Sequence, residues 1–244
     1  MKIESLQNKK VKEWTSLKEK KERDKTNTFL IEGDHLLKEA MKHHLVIEVI
    51  TTEEADYEVP TFHVTKKVME KITNQVTPPK VIAVTKKLEE KAINGPVLIL
   101  DGIQDPGNLG TILRTADSIG LTQILVSKGT ADCYNPKVVR STMGAIFRVK
   151  IIECEDLVKT LKEIKKHKFE IVVSSLQTDN SIYDINYHKK VIVIGNEANG
   201  VKKEIQDLAD KKIKIPMLGK TESLNASVAT GIILYEYVRQ KLVK

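Results

Sequence analysis

The feature that most constrains this chain is a series of apolar segments in its carboxyl-terminal part, separated by segments with helical periodicity. In chain order the apolar segments read VLILDGI, QILVS, AIFRVKII, EIVVSSL, VIVIG and IKIPM. Strands that are apolar throughout are buried on both faces, and helices between them provide the crossovers of a parallel sheet. Residues 97–244 are therefore predicted to form an α/β domain with a parallel sheet.

The apolar residues of the first 90 positions follow a different pattern, which predicts a small mixed α/β unit. Strand candidates are TFLIEG, LVIEVITT, TFHVT and VIAVTKK, and helix candidates are DHLLKEAMKHH and KKVMEKITN. A polar stretch at residues 86–96 then ends in Asn-Gly-Pro, which breaks regular structure. We predict a first domain over residues 1–90, a linker over 91–96 and a second domain over 97–244.

The balance of charge favours a polyanionic partner without proving one. The net charge is +7 and the pI is about 9.1. The opening stretch NKKVKEWTSLKEKKERDK is more basic than average, and its Val11, Trp14 and Leu17 recur at helical spacing. It predicts an amphipathic helix whose basic face either contacts RNA or is only solvated.

Composition disfavours several other classes of protein. Cys133 and Cys154 are the only cysteines, too few for a disulfide framework, which indicates a reducing cytoplasm. The six histidines have no ligand spacing, so no metal site is expected. No apolar run approaches the length of a membrane span, and no secretion signal is expected at the amino terminus.

The first candidate functional loop is DGIQDPGNLGTILRTA at residues 101–116. A glycine-containing turn leads into a helix there, which suits anions or polar ligands. Asn108 can act as a helix cap, which is a purely structural role. Arg114 lies off the apolar helix face, so packing does not require it, although an ordinary surface arginine is the simpler interpretation. No GxGxxG is present, so the dinucleotide fingerprint is absent.

The second loop, GNEANGV at residues 195–201, directly follows the apolar run VIVI. Gly195 permits a sharp turn and the close approach of a ligand, and Gly200 permits a left-handed turn. Glu197 can accept hydrogen bonds from a ligand, or can cap a helix that begins near Val201.

The third loop, IPMLGKTESLNASVATGIILYE, covers residues 215–236. Its Gly-Lys-Thr suggests a phosphate loop, but the Walker pattern requires a glycine where Lys214 stands. Ser223 or Asn225 can cap the helix that follows. The small residues of that helix, Ala226, Ala229 and Gly231, predict close packing.

In this order, the three loops closely resemble the three motifs of the SpoU (TrmH-like) branch of the SPOUT methyltransferases. The resemblance covers about residues 97–240. FLIEGDHLLKEA and PPKVIAV, in the first 90 residues, resemble more loosely the substrate-binding domain of members that act on ribosomal RNA. The resemblance implies a deep trefoil knot, which general rules of chain topology would not propose. It also implies methyl transfer from S-adenosyl-L-methionine to a ribose 2′-hydroxyl of structured RNA, with ribosomal RNA favoured over transfer RNA.

The same resemblance assigns individual residues. The implied catalytic residues are Asn108, Arg114, Glu197, Ser223 and Asn225. Arg114 would act as an electrostatic clamp on the developing alkoxide or a nearby phosphate, because a guanidinium essentially never loses its proton; a neutral base is the alternative. The implied cofactor-binding residues are Leu176, Gly195, Asn196, Glu197, Gly200, Ile215, Met217, Ser223, Leu224, Asn225 and Ala229.

Two function classes stay open beside this one. The first is an RNA-binding relative without catalytic activity, against which Arg114, Asn108 and the complete third motif argue. The second is a nucleotide-dependent enzyme of the dehydrogenase type, against which the missing GxGxxG and the order of the loops argue. A transfer-RNA ribose methyltransferase is the alternative within the family.

The last helix is expected to contribute to a homodimer. Val228, Ile232, Tyr235 and Val238 fall along one line of this helix, and Ile233, Leu234 and Tyr237 lie beside it. This apolar surface is wider than one sheet face requires. The resemblance implies dimerisation through the knotted domain; burial of the helix wholly inside its own domain is the alternative.

Overall fold

The computed structural model describes residues 2–88 and 98–243, so the predicted linker at 91–96 lies outside the described residues. Contacts between residues divide the chain into two compact units. The first combines residues 1–89 with residues 132–147, and the second combines residues 90–131 with residues 148–244.

The helices and strands follow in chain order, numbered over the described residues. The helices are α1 (Lys9–Ser16), α2 (Lys20–Thr26), α3 (Asp34–Lys42), α4 (Lys66–Ile72), α5 (Pro106–Ser118), α6 (Pro136–Ser141), α7 (Leu157–Lys166), α8 (Lys203–Gln206) and α9 (Ala226–Leu242). The strands are β1 (Thr28–Glu32), β2 (Val46–Thr51), β3 (Thr61–His63), β4 (Val81–Lys86), β5 (Leu98–Asp101), β6 (Gln123–Ser127), β7 (Lys150–Cys154), β8 (Glu170–Ser174), β9 (Lys190–Gly195) and β10 (Lys211–Ile213).

The first unit has a four-stranded sheet in the order β1, β4, β2, β3. Strand β4 is antiparallel to both of its neighbours, and β3 is parallel to β2. Trp14, from α1, is buried in the core, and its indole nitrogen donates to Glu48 over 2.6 Å. Every strand and helix candidate named between residues 28 and 86 is present in the structure.

The basic opening stretch forms two helices, α1 and α2, where a single helix was expected. The chain turns after Leu17, whose side chain is buried in the same core as Trp14. Arg23, itself buried, donates to the carbonyl oxygens of Leu17 and Lys18 over 2.7 and 2.6 Å. These bonds satisfy carbonyl groups that the end of α1 leaves free.

Residues 132–147 pack within the first unit, although the neighbouring sequence belongs to the second. The ring of Phe29 lies 4.9 Å from the ring of Tyr134 and 6.4 Å from that of Phe147, measured between centroids. The predicted strand AIFRVKII therefore begins only at Lys150, and Ala145–Phe147 forms a 3₁₀ turn. Packing of Phe147 on Phe29 explains why an apolar segment here is not a strand.

The second unit contains the predicted parallel sheet, with six strands in the order β10, β8, β9, β5, β6, β7. Each adjacent pair is parallel. Strands β5 and β9 are buried along their whole described length, as their apolar sequences predict. Because all strands run the same way, the loops after β5, β8, β9 and β10 meet at one edge.

Two elements of this unit differ from the sequence prediction. Strand β10 ends at Ile213, so the segment IPM is not part of it; Pro216 lacks the amide hydrogen that a ladder needs. Helix α8 covers only Lys203–Gln206 and has Lys202 as its N-cap residue, so Glu197 is not its cap.

Helix α9 divides its apolar residues between the core and the surface. Ile233, Leu234 and Tyr237 are buried in the second unit. Val228 and Tyr235 are 50% and 54% exposed, and Leu242, one further heptad along, is 80% exposed. Part of the helix therefore serves its own core, and a separate apolar line faces outward.

Within the described ranges, no helix is long and apolar enough to cross a membrane. Over the same residues, no group of three His, Cys, Asp or Glu side chains could hold a metal ion. Cys133 and Cys154 are both buried, and no disulfide joins them in the described part of the chain.

Candidate active site

The loop after β9 is a closed turn that only glycine permits at its first position. The amide of Asn196 donates to the carbonyl of Gly200 over 3.0 Å, and the reverse bond is 2.9 Å. A Cβ atom on Gly195 would overlap the backbone of Gly200 and Val201. Gly200 has a φ of 67°, in the left-handed region that glycine adopts without strain.

Asn196 fastens this loop to the loop that follows β5. Its Nδ2 donates to the carbonyl of Gly102 over 2.8 Å. Its Oδ1 accepts from the amides of Ala198 and Asn199 at 2.9 and 3.0 Å. All of these bonds are internal, so the Asn196 side chain shapes the loop.

Glu197 is held by the loop after β5 and by the start of α5. Its carboxylate accepts from the Nδ2 of Asn108 over 3.0 Å and from the amides of Gln104 and Asp105 over 3.3 and 3.4 Å. Partial burial raises the pKa of Glu197, but these hydrogen bonds outweigh it and hold the pKa below its usual value. Glu197 is therefore ionised at neutral pH and acts as an acceptor.

Asn225 extends the same chain of hydrogen bonds to the third loop. Its Nδ2 donates to the Oδ1 of Asn108 over 2.9 Å. Its Oδ1 accepts from the amides of Ser227 and Val228 over 2.9 and 3.3 Å, which makes Asn225 the N-cap of α9. The sequence left Ser223 and Asn225 open as the cap, and the structure selects Asn225.

One continuous network, Glu197–Asn108–Asn225, thus joins the three loops identified in the sequence. Each amide has one orientation consistent with all its partners, because the carboxylate can only accept and the helix amides can only donate.

A cavity of about 330 Å³ opens beside this network. It lies beyond the carboxyl ends of β8, β9 and β10, where ligands bind in open α/β sheets. All of the predicted cofactor-binding residues except Asn225 line it. They are Leu176, Gly195, Asn196, Glu197, Gly200, Ile215, Met217, Ser223, Leu224 and Ala229.

Two predicted catalytic residues stand apart from the network. Ser223 is exposed and lines the cavity. Arg114 is exposed on α5, and within residues 2–88 and 98–243 its side chain has no hydrogen bond or ion pair. It follows Asn108 by six residues, about 9 Å along the helix axis, and does not line the cavity.

Asp101 is a positioning residue that the sequence did not single out. Its carboxylate is fully buried at the end of β5 and accepts from the Ser127 hydroxyl over 2.8 Å and the Lys202 amide over 2.9 Å. The Lys202 Nζ lies 3.3 Å from Oδ1 of Asp101, the same oxygen that accepts from Ser127. The loop at residues 195–202 is thus anchored at both ends. Gly102 holds its start through Asn196, and Asp101 holds its end through Lys202. The sequence could have indicated Asp101, because it is an acidic residue at the end of an otherwise apolar strand, VLILD.

Comparison with known proteins places this arrangement in a family. Residues 95–235 match the SpoU rRNA Methylase family, and residues 8–83 match the MRM3-like substrate binding domain. The 23S rRNA (guanosine(2553)-2′-O)-methyltransferase RlmP of Bacillus subtilis strain 168 is 37% identical over 96% of this chain and 97% of that protein. The chain belongs to the SpoU rRNA methylase family.

Other members share all or part of the chain. The 23S rRNA (guanosine-2′-O-)-methyltransferase RlmB of Xanthomonas axonopodis pv. citri strain 306 is 36% identical over 64% of this chain and 63% of its own length. The crystal structure of an AdoMet-bound rRNA methyltransferase from Sinorhizobium meliloti is 29% identical, with a TM-score of 0.83, and covers 98% of this chain and 97% of that chain. The SpoU methyltransferase AviRb of Streptomyces viridochromogenes, 24% identical over 97% of this chain and 99% of that chain, shares the fold with a TM-score of 0.87.

Membership of the SpoU family confirms the predicted family, fold class and reaction class, which is S-adenosylmethionine-dependent methylation of an RNA ribose 2′-hydroxyl. The trefoil knot follows from the same family fold. The dehydrogenase alternative is thereby excluded.

Proposed function

We propose that this protein methylates a ribose 2′-hydroxyl of ribosomal RNA, with 23S rRNA as the first candidate. The observation that carries the proposal is the junction of all three motifs through Glu197, Asn108 and Asn225 beside the cavity. The names of RlmP and RlmB, which both specify guanosine 2′-O-methylation of 23S rRNA, support the choice of substrate.

We propose that the cavity at Gly195 holds S-adenosyl-L-methionine. Its volume of about 330 Å³ lies at the lower end of the range of about 300–1,000 Å³ for small-molecule sites. Apolar walls from Leu176, Ile215 and Leu224 suit the adenine ring, and the polar loop at residues 195–200 suits the ribose and amino-acid ends. When bound, this cofactor supplies a sulfonium methyl group that is already activated for displacement.

The catalytic residues would then divide the remaining tasks. Arg114 carries a positive charge with no counter-ion among the described residues, so it is available to a developing alkoxide or a phosphate oxygen. Glu197, ionised and fully engaged, fixes the amide of Asn108. Asn108 and Asn225 would orient the ribose, and Ser223 would contact the cofactor or a phosphate at the cavity rim.

The first unit would select the RNA. The match of residues 8–83 to a substrate binding domain supports this role, together with the basic helices α1 and α2. A cytoplasmic location is proposed on the low cysteine content, since two cysteines are too few for a disulfide framework.

The protein would act as a homodimer through the outward line of α9. Val228, Tyr235 and Leu242 recur every seven residues and are exposed. In a two-fold dimer this line would meet its own copy. Tyr235→Glu should convert the dimer to a monomer in light scattering and lower methyl transfer, whereas Lys162→Glu, on exposed α7 surface, should change neither. A 27.5 kDa monomer with full activity would rule out the dimer.

Methyl transfer from radiolabelled S-adenosylmethionine to unmodified transcripts of 23S rRNA, 16S rRNA and bulk transfer RNA tests the substrate. We expect incorporation into 23S rRNA at one nucleotide that resists alkaline hydrolysis. Incorporation into transfer RNA alone would identify transfer RNA, and not 23S rRNA, as the substrate. Cofactor binding without transfer to any RNA would favour the inactive RNA-binding relative.

A further inference from the structure

The second unit contains another cavity, of about 270 Å³, at the opposite end of the sheet from the proposed cofactor site. Phe169 and Lys189, which immediately precede β8 and β9, line it. Tyr237 and Lys241, at the carboxyl end of α9, line another side. No step of the proposed methyl transfer uses this cavity.

The floor of this cavity is aromatic and fixed in position. Tyr187 is 2% exposed, and its hydroxyl donates to the carbonyl of Ile182 over 3.1 Å. The amide of Tyr187 donates to the side chain of Gln240 over 3.0 Å, and Gln240 in turn donates to the carbonyl of Ile185 over 2.8 Å. The Phe169 ring packs against the core of this unit, and Tyr237 is 8% exposed. Rings already held by packing lose little conformational entropy when a planar group packs on them.

The rim of the cavity is cationic. His188 and Lys189 are exposed, and within the described part of the chain neither has a side-chain hydrogen bond or ion pair. The Nζ of Lys241 lies 4.4 Å from the centre of the Tyr237 ring, and among the described residues no carboxylate forms an ion pair with it.

The nearest acids in sequence are already neutralised. Glu170 is paired with the buried Lys190. Glu236 is paired with Arg239 over 2.7 Å and accepts from Gln240 over 2.8 Å. The rim therefore keeps an excess of positive charge that these carboxylates do not cancel.

We propose that this cavity binds one nucleotide of the RNA substrate, with the base packed on the rings of Phe169 and Tyr237 and its phosphate beside Lys189 and Lys241. Aromatic platforms with adjacent cations are what single-stranded nucleic acid requires. The volume suits a single base, since it falls just below the range of about 300 Å³ and more for larger ligands. This inference rests on the proposed action on RNA.

A second copy of the chain fits this cavity poorly. Residues 237 and 241 lie on the opposite side of α9 from the exposed line at 228, 235 and 242. A two-fold contact here would also bring like-charged lysines of the two copies together.

The test measures the affinity of the full-length protein for a 23S rRNA transcript at several stated salt concentrations. The variant Lys189→Asn with Lys241→Gln keeps a residue that tolerates the positive φ of 51° at position 189. It should bind RNA about tenfold more weakly, with the salt slope reduced by about two. Phe169→Leu, which changes no charge, should also weaken binding by about tenfold. S-adenosylmethionine affinity should be unchanged in both variants.

Lys162→Gln with Lys211→Gln is the matched control, since it removes two exposed charges of the same unit that do not line the cavity. Equal RNA affinity of the cavity variant and this control would overturn the proposal, as would loss of the dimer in the cavity variant. Crosslinking of 4-thiouridine RNA to residues 186–189 or 237–241 would support it directly. Failure of the wild-type protein to bind or methylate any RNA would instead overturn the proposed function.

Discussion

Arg114 is the residue at which fold and proposed catalysis are most easily separated, because its side chain is exposed and has no hydrogen bond or ion pair among the described residues. Arg114→Ala should fold normally and bind S-adenosylmethionine as the wild type does. Its turnover should fall by about 10²–10³, the cost of removing one group that stabilises developing charge. Single-turnover methylation at saturating cofactor and RNA is the measurement.

Arg114→Lys distinguishes the two roles of this guanidinium. A point charge is retained in lysine, so partial activity would support an electrostatic clamp. Activity as low as that of Arg114→Ala would favour planar two-pronged hydrogen bonding. Near wild-type turnover of the alanine variant would show that Arg114 is an ordinary surface residue.

Asp101 should control cofactor affinity from outside the cavity. In Asp101→Ala, the Lys202 amide, which can only donate, loses its acceptor, whereas the Ser127 hydroxyl can rotate toward another partner. The loop at residues 195–202 should loosen, and cofactor binding should weaken by about tenfold, as expected from one donor left without an acceptor.

Ser127→Ala is the matched control, because it removes one bond to Asp101 and leaves the Lys202 bond intact. Calorimetric titration with S-adenosylmethionine should show a clearly smaller loss for it. An equal loss in both variants would mean that Asp101 supports the sheet in general and does not position the loop.

At the scale of single elements, the loop after β9 depends on a position without a side chain. Gly195→Ala would force the Asn196–Gly200 turn open, because the new methyl group would overlap backbone atoms. We expect cofactor binding to fall by more than tenfold and thermal stability to fall with it. Gly219→Ala, in the third loop, has no atom within 4 Å of the new Cβ and should behave like the wild type. Equal behaviour of the two variants would contradict this account of the turn.

The sequence predicted correctly those elements whose apolar residues all pack within the same unit. The apolar strands β5 and β9 follow from local rules alone. The segment AIFRVKII could not be read correctly, because Phe147 packs on Phe29, more than 100 residues earlier. The cavity-lining residues came from the family motifs. The bond between Asn108 and Asn225 could not be derived, since it depends on how two distant loops meet.

At the scale of the molecule, the chain crosses between its two units three times, at residues 89–90, 131–132 and 147–148. The excursion at residues 132–147 supplies part of the first unit. Asp132 is paired with the buried Arg23, and Arg140 lies 3.5 Å from the buried carboxylate of Glu32. A cut at the sequence boundary near residue 90 would therefore divide a packed unit.

Because residues 132–147 pack on Phe29, substitution of Phe29 measures how much this segment stabilises the first unit. Its side chain is 1% exposed, and its ring packs on those of Tyr134 and Phe147. Phe29→Ala should lower the free energy of unfolding by about 3–5 kcal/mol, the usual cost of removing a buried phenylalanine ring. Denaturant unfolding of the full-length protein is the measurement.

A fragment of residues 1–88 lacks the rings of Tyr134 and Phe147 that pack on Phe29 and the carboxylate of Asp132 that pairs with Arg23. It should therefore unfold at lower temperature than the same fragment with residues 132–147 attached through a flexible linker. Cooperative unfolding at the same temperature with and without the added segment would contradict this.

For the same reason, deleting residues 1–88 should do more than weaken RNA binding. It should expose Tyr134, Val138 and Phe147, all buried in the intact protein, and lower solubility. Replacing residues 132–147 with a polar linker in the deletion variant should restore solubility and reveal whether cofactor affinity survives without the first unit.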